Sequence, residues 1–103
     1  MGSNYRITFA ESAVLDLEAI RSWYDGQQVP EVADRLISKI ISKIEKLAEF
    51  PQSGRVVPEF DVHYLREIIF PPFRIVYRLG DNTIQVVRIW RGERQLKLAE
   101  TSG

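Results

Sequence analysis

The chain of 103 residues has no cysteine, a single histidine and no net charge. Without cysteine there can be no disulfide framework, thiol nucleophile or thiolate metal site, and a reducing cytoplasm suits such a chain. A lone His63 rules out a two-histidine metal centre, and no nucleophile-elbow pattern supplies a serine for Ser-His-Asp chemistry. Glycine is sparse and forms no phosphate-cradling loop, and no apolar run approaches the ~20 residues of a membrane-spanning helix. Met1-Gly2-Ser3-Asn4 lacks the basic and apolar regions of a signal peptide. These absences predict a cytoplasmic protein with no metal and no cofactor.

Fourteen basic side chains balance fourteen acidic ones, whereas a dedicated nucleic-acid binder usually carries a basic excess. The charges are unevenly placed. Residues 1–50 hold six Lys/Arg against eight Asp/Glu, and residues 51–103 hold eight against six. Between Tyr64 and Lys97 the count is seven basic to three acidic, so positive potential gathers in the C-terminal half.

The hydrophobic content of 45% and the length fit one domain over residues 1–103, with 1–4 and the tail 99–103 expected to fray. Tyr5 to Phe9 alternates apolar and polar side chains, as a short strand does. Ser12 is placed to cap a helix whose stripe is Ala13, Leu17, Ile20 and Tyr24, widened by Val14 and Trp23, with Gly26 as its stop. Pro30 suits the first position of a second helix running to about Glu49, with Ala33, Leu36, Ile37, Ile40, Ile44 and Leu47 on one side. So short a connection predicts an antiparallel helical hairpin.

From Leu65 the period changes to that of strands. Leu65–Phe70, Phe73–Leu79 and Thr83–Trp90 are rich in Ile, Val, Phe and Tyr, separated by Pro71-Pro72 and Gly80-Asp81-Asn82. The expected order is β-α-α-β-β-β, an α+β fold with the hairpin packed on one face of a small antiparallel sheet. Phe73, Ile75, Tyr77 and Leu79 then face the helices, and Arg74, Val76 and Arg78 face the other way.

That opposite face is where function is expected. Arg66, Arg74, Arg78, Arg88, Arg91 and Arg94 offer planar forks that match phosphate or carboxylate, and a strand neighbour could bring Arg66 or Arg88 beside Arg74 and Arg78. The alternative is that they face water or pair with Glu67, Asp81 and Glu93. Trp90 is a possible stacking group beside Arg91 and Arg94, while Tyr77 reads as packing. A ridge of Arg35, Lys39, Lys43 and Lys46 on the second helix reads as a solvated face. His63 reads as a surface residue, with proton transfer as its functional alternative.

Several segments together resemble the ParE/RelE toxin superfamily. Phe9-Ala10-Glu11-Ser12-Ala13 with Asp16-Leu17 and Ile20 is similar to its opening. Leu47-Ala48-Glu49-Phe50-Pro51-Gln52-Ser53-Gly54-Arg55 is similar to the close of its second helix. Leu65-Arg66-Glu67, then Phe73-Arg74-Ile75-Val76-Tyr77-Arg78 and Val86-Val87-Arg88-Ile89-Trp90, complete the likeness over about residues 5–96. The resemblance implies the toxin of a type II toxin–antitoxin system, the class tied to plasmid stabilization and growth inhibition. It also implies a cognate antitoxin, acidic or with an acidic binding segment, in a toxin–antitoxin hetero-oligomer.

The superfamily divides by target, into RelE-like ribosome-dependent endoribonucleases and ParE-like inhibitors of DNA gyrase. Arg66 and Arg74 match basic positions of the RelE pattern, but Ile68 stands at another basic position, Gly92 near the arginine after the last strand, and Leu98 at the C-terminal tyrosine. The long hairpin and the Pro51–Arg55 turn resemble ParE-like members. The expectation is therefore a gyrase-binding inhibitor with no chemistry of its own, using Arg66, Arg74, Arg78, Arg88, Trp90, Arg91 and Arg94 toward target or antitoxin. The alternatives are a nuclease acting on ribosome and mRNA through Arg66, Arg74, Arg91, Arg94 and His63, and a non-toxic binding module on the same fold.

Overall fold

The computed structural model describes residues 4–91. Strand β1 (Arg6–Phe9) runs through Ala10 alone into helix α1 (Glu11–Gly26), and helix α2 (Pro30–Glu45) follows after three residues. A turn of 3-10 helix (Lys46–Ala48) closes the hairpin, and strands β2 (Arg55–Val56), β3 (Leu65–Phe70), β4 (Phe73–Leu79) and β5 (Thr83–Arg91) complete the order. The hairpin and the three-strand meander stand where the sequence placed them.

Two features of the sheet differ from the expectation. It has five strands in the order β1-β5-β4-β3-β2, and β1 lies parallel to β5 while the other pairs are antiparallel. The whole hairpin and meander form the long crossover that a parallel pair requires, so the sheet is mixed. Strand β2 was not predicted because two residues are too few to show a period.

Local details of the helices also depart. Ala10, not Ser12, is the N-cap of α1, and Ser12 Oγ instead donates to the carbonyl of Val87 at 2.6 Å. Gly26 ends α1, but the left-handed residue of the connection is Gln28, at φ 64°. Pro30 opens α2 as expected. Helix α2 gives way to the tighter 3-10 turn at Lys46, so its α-helical part ends short of Glu49.

The core lies between hairpin and sheet. Ala13 and Ile20 from α1, Ile40 and Ile44 from α2, and Leu47 meet Phe73, Ile75, Tyr77, Ile84, Val86 and Ile89. Val14 and Trp23 are 40% and 55% exposed, so the stripe of α1 is narrower than its apolar residues suggest. Among the described residues, no helix is long and apolar enough to cross a membrane.

Tyr77 ties the Pro51–Arg55 turn to this core. Its hydroxyl accepts the N–H of Gly54 at 3.0 Å and donates to the carbonyl of Pro51 at 2.7 Å. Burial pushes the phenol above its ordinary pKa, which keeps the donor proton in place. A side chain at Gly54 would place its Cβ 2.6 Å from that hydroxyl and 2.7 Å from the carbonyl oxygen of Glu67. The glycine is required by close approach, not by its φ.

Candidate functional site

Register decides which arginines share a face. The two-residue connection of β3 to β4 pairs Phe70 with Phe73, and the ladder then sets Arg66 opposite Tyr77 and Glu67 opposite Val76. Side chains of directly paired residues project to the same face. Arg66 therefore lies on the helix side of the sheet, away from Arg74 and Arg78, and Glu67 joins them instead.

Arg74 is not displayed. It is 6% exposed, and Glu67 beside it is 1% exposed. The Arg74 guanidinium donates to Glu67 at 2.7 Å and forks onto both oxygens of Glu59 at 2.9 Å, while Arg55 donates to the other Glu67 oxygen at 2.7 Å. The Glu59 carboxylate raises the Arg74 pKa, outweighing the opposing effect of burial, and Glu67 adds to the rise. In return, the hydrogen bond from Arg74 holds the Glu59 carboxyl below its ordinary value. A guanidinium committed to two carboxylates has few donors left for a phosphate. The expectation of a free Arg74 on an open face is corrected: the pairing alternative with Glu67 is the one realised.

The network also pins the segment after β2. Glu59 lies on the stretch between Val57 and Tyr64, and Val57 and Val76 are both buried although neither belongs to the main core. The far face of the sheet is thus partly roofed at the β2–β3 end.

A β-bulge aims Arg88. From Leu79–Ile84 to Tyr77–Val86 the β4–β5 register is regular, and it shifts by one residue before Val76 pairs with Arg88. Without that extra residue Arg88 would point into the core and Ile89 out of it. As built, Arg88 stacks over the Trp90 ring at 4.8 Å and forks onto Asp16 of α1 at 2.8 and 2.9 Å. Asp16 also accepts the backbone N–H of Ile89 at 2.8 Å, capping the β5 edge where β1 has ended. The Asp16 bond raises the Arg88 pKa. Sequence reasoning missed Asp16 as a site residue. The signal was there, since a carboxylate three residues after Ala13 and four before Ile20 sits beside the buried stripe of α1.

Arg91 pairs with Phe73 and so faces the helices. Its guanidinium lies 5.9 Å from the Trp23 ring centre and 5.8 Å from that of Phe73. Together with Asp16, Ile20, Tyr24, Arg88 and Trp90 these residues line a half-open cavity of about 710 Å³ between α1 and the end of β5. Arg78 is exposed on the opposite face, and Arg94 lies outside the described residues.

Arg66 donates to the carbonyls of Gly54 and His63 at 3.0 Å and reaches His63 Nδ1 at 3.0 Å. Since a guanidinium can only donate, Nδ1 accepts, and the ring proton sits on Nε2. The expected arginine cluster is therefore dispersed: Arg66 with His63, Arg74 inside an ionic network, Arg78 exposed on the far face, and Arg88 with Trp90 and Arg91 around the cavity. Among the described residues, no group of three or more His, Asp or Glu is placed to hold a metal ion.

Comparison with known proteins bears on the whole of this architecture. Residues 7–96 match the family model described as the ParE toxin of the type II toxin–antitoxin system parDE. The chain is 33% identical over 90 residues to Toxin RelE2 of Caulobacter vibrioides, covering 86% of this chain and 97% of that protein. Among solved structures it resembles the chromosomal ParDE toxin–antitoxin system of P. aeruginosa, with TM-score 0.71, 26% identity, and coverage of 84% of this chain and 95% of that one. The RelBE2 toxin–antitoxin complex of Mycobacterium tuberculosis shares the fold, with TM-score 0.61 at 17% identity over 85% of this chain and 98% of that one. The two-helix hairpin on a mixed sheet, matched along nearly its full length, places this chain in the ParE toxin family of type II toxin–antitoxin systems.

Proposed function

We propose that this toxin acts by binding, with DNA gyrase as its target, and that a cognate antitoxin neutralises it. The observation that carries the reading is the burial of Arg74 between Glu59 and Glu67. A nuclease needs cations free to meet a scissile phosphate and the charge that develops on it. Here the central arginine of the β4 strand is saturated by carboxylates, and Arg66 lies on the other face. Binding needs only a shaped surface. The cavity bounded by Trp23, Trp90, Arg88 and Arg91 combines aromatic walls with guanidinium groups, the composition that anchors protein interfaces. An antitoxin segment with an apolar anchor and a carboxylate fits it, the carboxylate meeting Arg91, with Arg78 outside it as a further contact. Purified toxin added to gyrase and supercoiled plasmid tests the target. Inhibited supercoiling or a trapped cleavage complex is expected; unchanged supercoiling at excess toxin refutes it.

One observation favours the second reading, a ribosome-dependent endoribonuclease. The pair of exposed His63 and half-buried Arg66 sets a proton-transfer group 3.0 Å from a cation. Primer extension on translated messages after induction separates the two readings: cuts in the A site abolished by His63→Gln establish the nuclease.

A further inference from the structure

The outer face of α2 and the 3-10 turn after it carries a strip of positive charge, of which only Lys43 has a partner in the fold, the Phe70 ring. Arg35, Lys39, Lys43 and Lys46 are all exposed, and none of them takes part in an ion pair among the described residues. Glu31 lies four residues before Arg35 and Glu49 three after Lys46, at spacings that favour pairing, yet neither pair forms. Asp34 borders the strip, but Arg21 holds its carboxylate at 2.8 Å. Like charges at these spacings destabilise a helix mildly, so the strip works against folding.

At 100° per residue, Arg35, Lys39, Ser42 and Lys46 fall within about 60° of the helix circumference, with Glu31 about 20° and Ser38 and Lys43 about 40° outside it. Arg35, Ser38, Lys39 and Ser42 line one shallow depression together with Asp34. The strip extends about 16 Å along the axis. A duplex presents a dense line of phosphate charge, and the strip can set each of its four cations against one phosphate. Its four cations and two hydroxyls are groups that hold phosphate oxygens without reading sequence.

We propose that this face of α2 is a docking surface for the phosphate backbone of duplex DNA. The other candidates fit it poorly. An acidic peptide needs an apolar anchor at the centre of its interface, and the strip offers none. A membrane surface needs the apolar side of the helix, and here that side, with Ala33, Ile40 and Ile44, is buried in the protein. Single strands bind on aromatic platforms, which the strip lacks. Four contacts on a chain of zero net charge give weak, salt-sensitive attachment that raises the local concentration of the protein along DNA. The surface is distinct from the cavity at β5, so it stands or falls apart from the choice of target.

Fluorescence anisotropy with a labelled 20-base-pair duplex tests the proposal on the full chain. Wild type is expected to bind at 50 mM salt, with log affinity falling against log salt at a slope near −3.6, about −0.9 for each of four phosphates. The triple variant Arg35→Gln/Lys39→Gln/Lys46→Gln spares Lys43, whose ammonium lies over the Phe70 ring at 5.5 Å. It should bind at least tenfold more weakly, with the slope reduced by about 2.7. Arg6→Gln on the exposed side of β1 should leave both unchanged, and a thermal melt confirms that each variant is folded. No binding by wild type up to 100 µM (on the order of the nonspecific limit), a triple variant with the wild-type slope, or equal binding to polyglutamate overturns the proposal.

Discussion

The two faces of the sheet are held by opposite means. On the helix side, Ile40, Ile44, Leu47, Phe73 and Ile75 form an apolar core at 0–1% exposure, where any well-fitting hydrocarbon of the right volume serves. On the other side the segment around Glu59 is fastened by Arg74, Glu67 and Arg55, where each partner depends on the others. The first face is tolerant and the second exacting. Removing one apolar side chain leaves a cavity; removing one charge leaves its buried opposite with only an exposed or half-exposed partner.

The largest effect is therefore expected on the ionic face. Glu67→Ala takes the buried carboxylate from the Arg74 guanidinium, which is 8% exposed, leaves it only the half-exposed Glu59, and should cost about 3–5 kcal/mol in urea unfolding. Replacing both partners by Leu and Met should recover most of that loss, because buried pairs are often no better than apolar substitutes. If the single and the double variant are equally unstable, the distinction between the faces fails.

On the apolar face Ile40→Ala should cost about 2–5 kcal/mol, the transfer and cavity terms of a fully buried side chain. Tyr77→Phe keeps the ring but leaves the Gly54 N–H without its partner, at about 1–3 kcal/mol. Equilibrium denaturation measures both, and a negligible change for Tyr77→Phe would show the turn to be held by other contacts.

Acid separates the faces further. The folded-state pKa of Glu59 is depressed by Arg74, so its stabilising contribution is complete above the ordinary glutamate value of about 4.3. It is lost as pH falls from there through the lower folded value. Stability should decline below about pH 4.3 in wild type, and Glu59→Gln should flatten that decline. The smallest effect belongs to the exposed pair of Arg21 and Asp34, whose removal should change stability by less than about 0.5 kcal/mol.

Much of this was legible in the sequence. The strands β3, β4 and β5 announced themselves by β-branched and aromatic residues between turn residues, and Pro30 marked the start of α2. Alternation along β4 correctly divided Phe73, Ile75 and Tyr77 from Arg74, Val76 and Arg78. The error lay in treating a face as open because it carried arginines. The hairpin turn Pro71-Pro72 already implied that paired positions sum to 143, which sets Arg66 against Tyr77 and puts Glu67 with Arg74. Applying that sum would have separated Arg66 from Arg74. The burial of Arg74 and its fork onto Glu59 were not legible, since they depend on where an irregular segment folds back over the sheet. The bulge that turns Arg88 outward leaves no mark in the pattern of Val86-Val87-Arg88-Ile89, where two valines fit either register.

Arg74→Ala tests the account most directly, because the arginine is read here as a structural ion and not as a phosphate ligand. Unfolding of the purified variant should show a loss of about 3–5 kcal/mol, from leaving the buried Glu67 with only the exposed Arg55 as partner. A variant as stable as wild type that has lost growth inhibition would contradict this, and would return Arg74 to the functional surface.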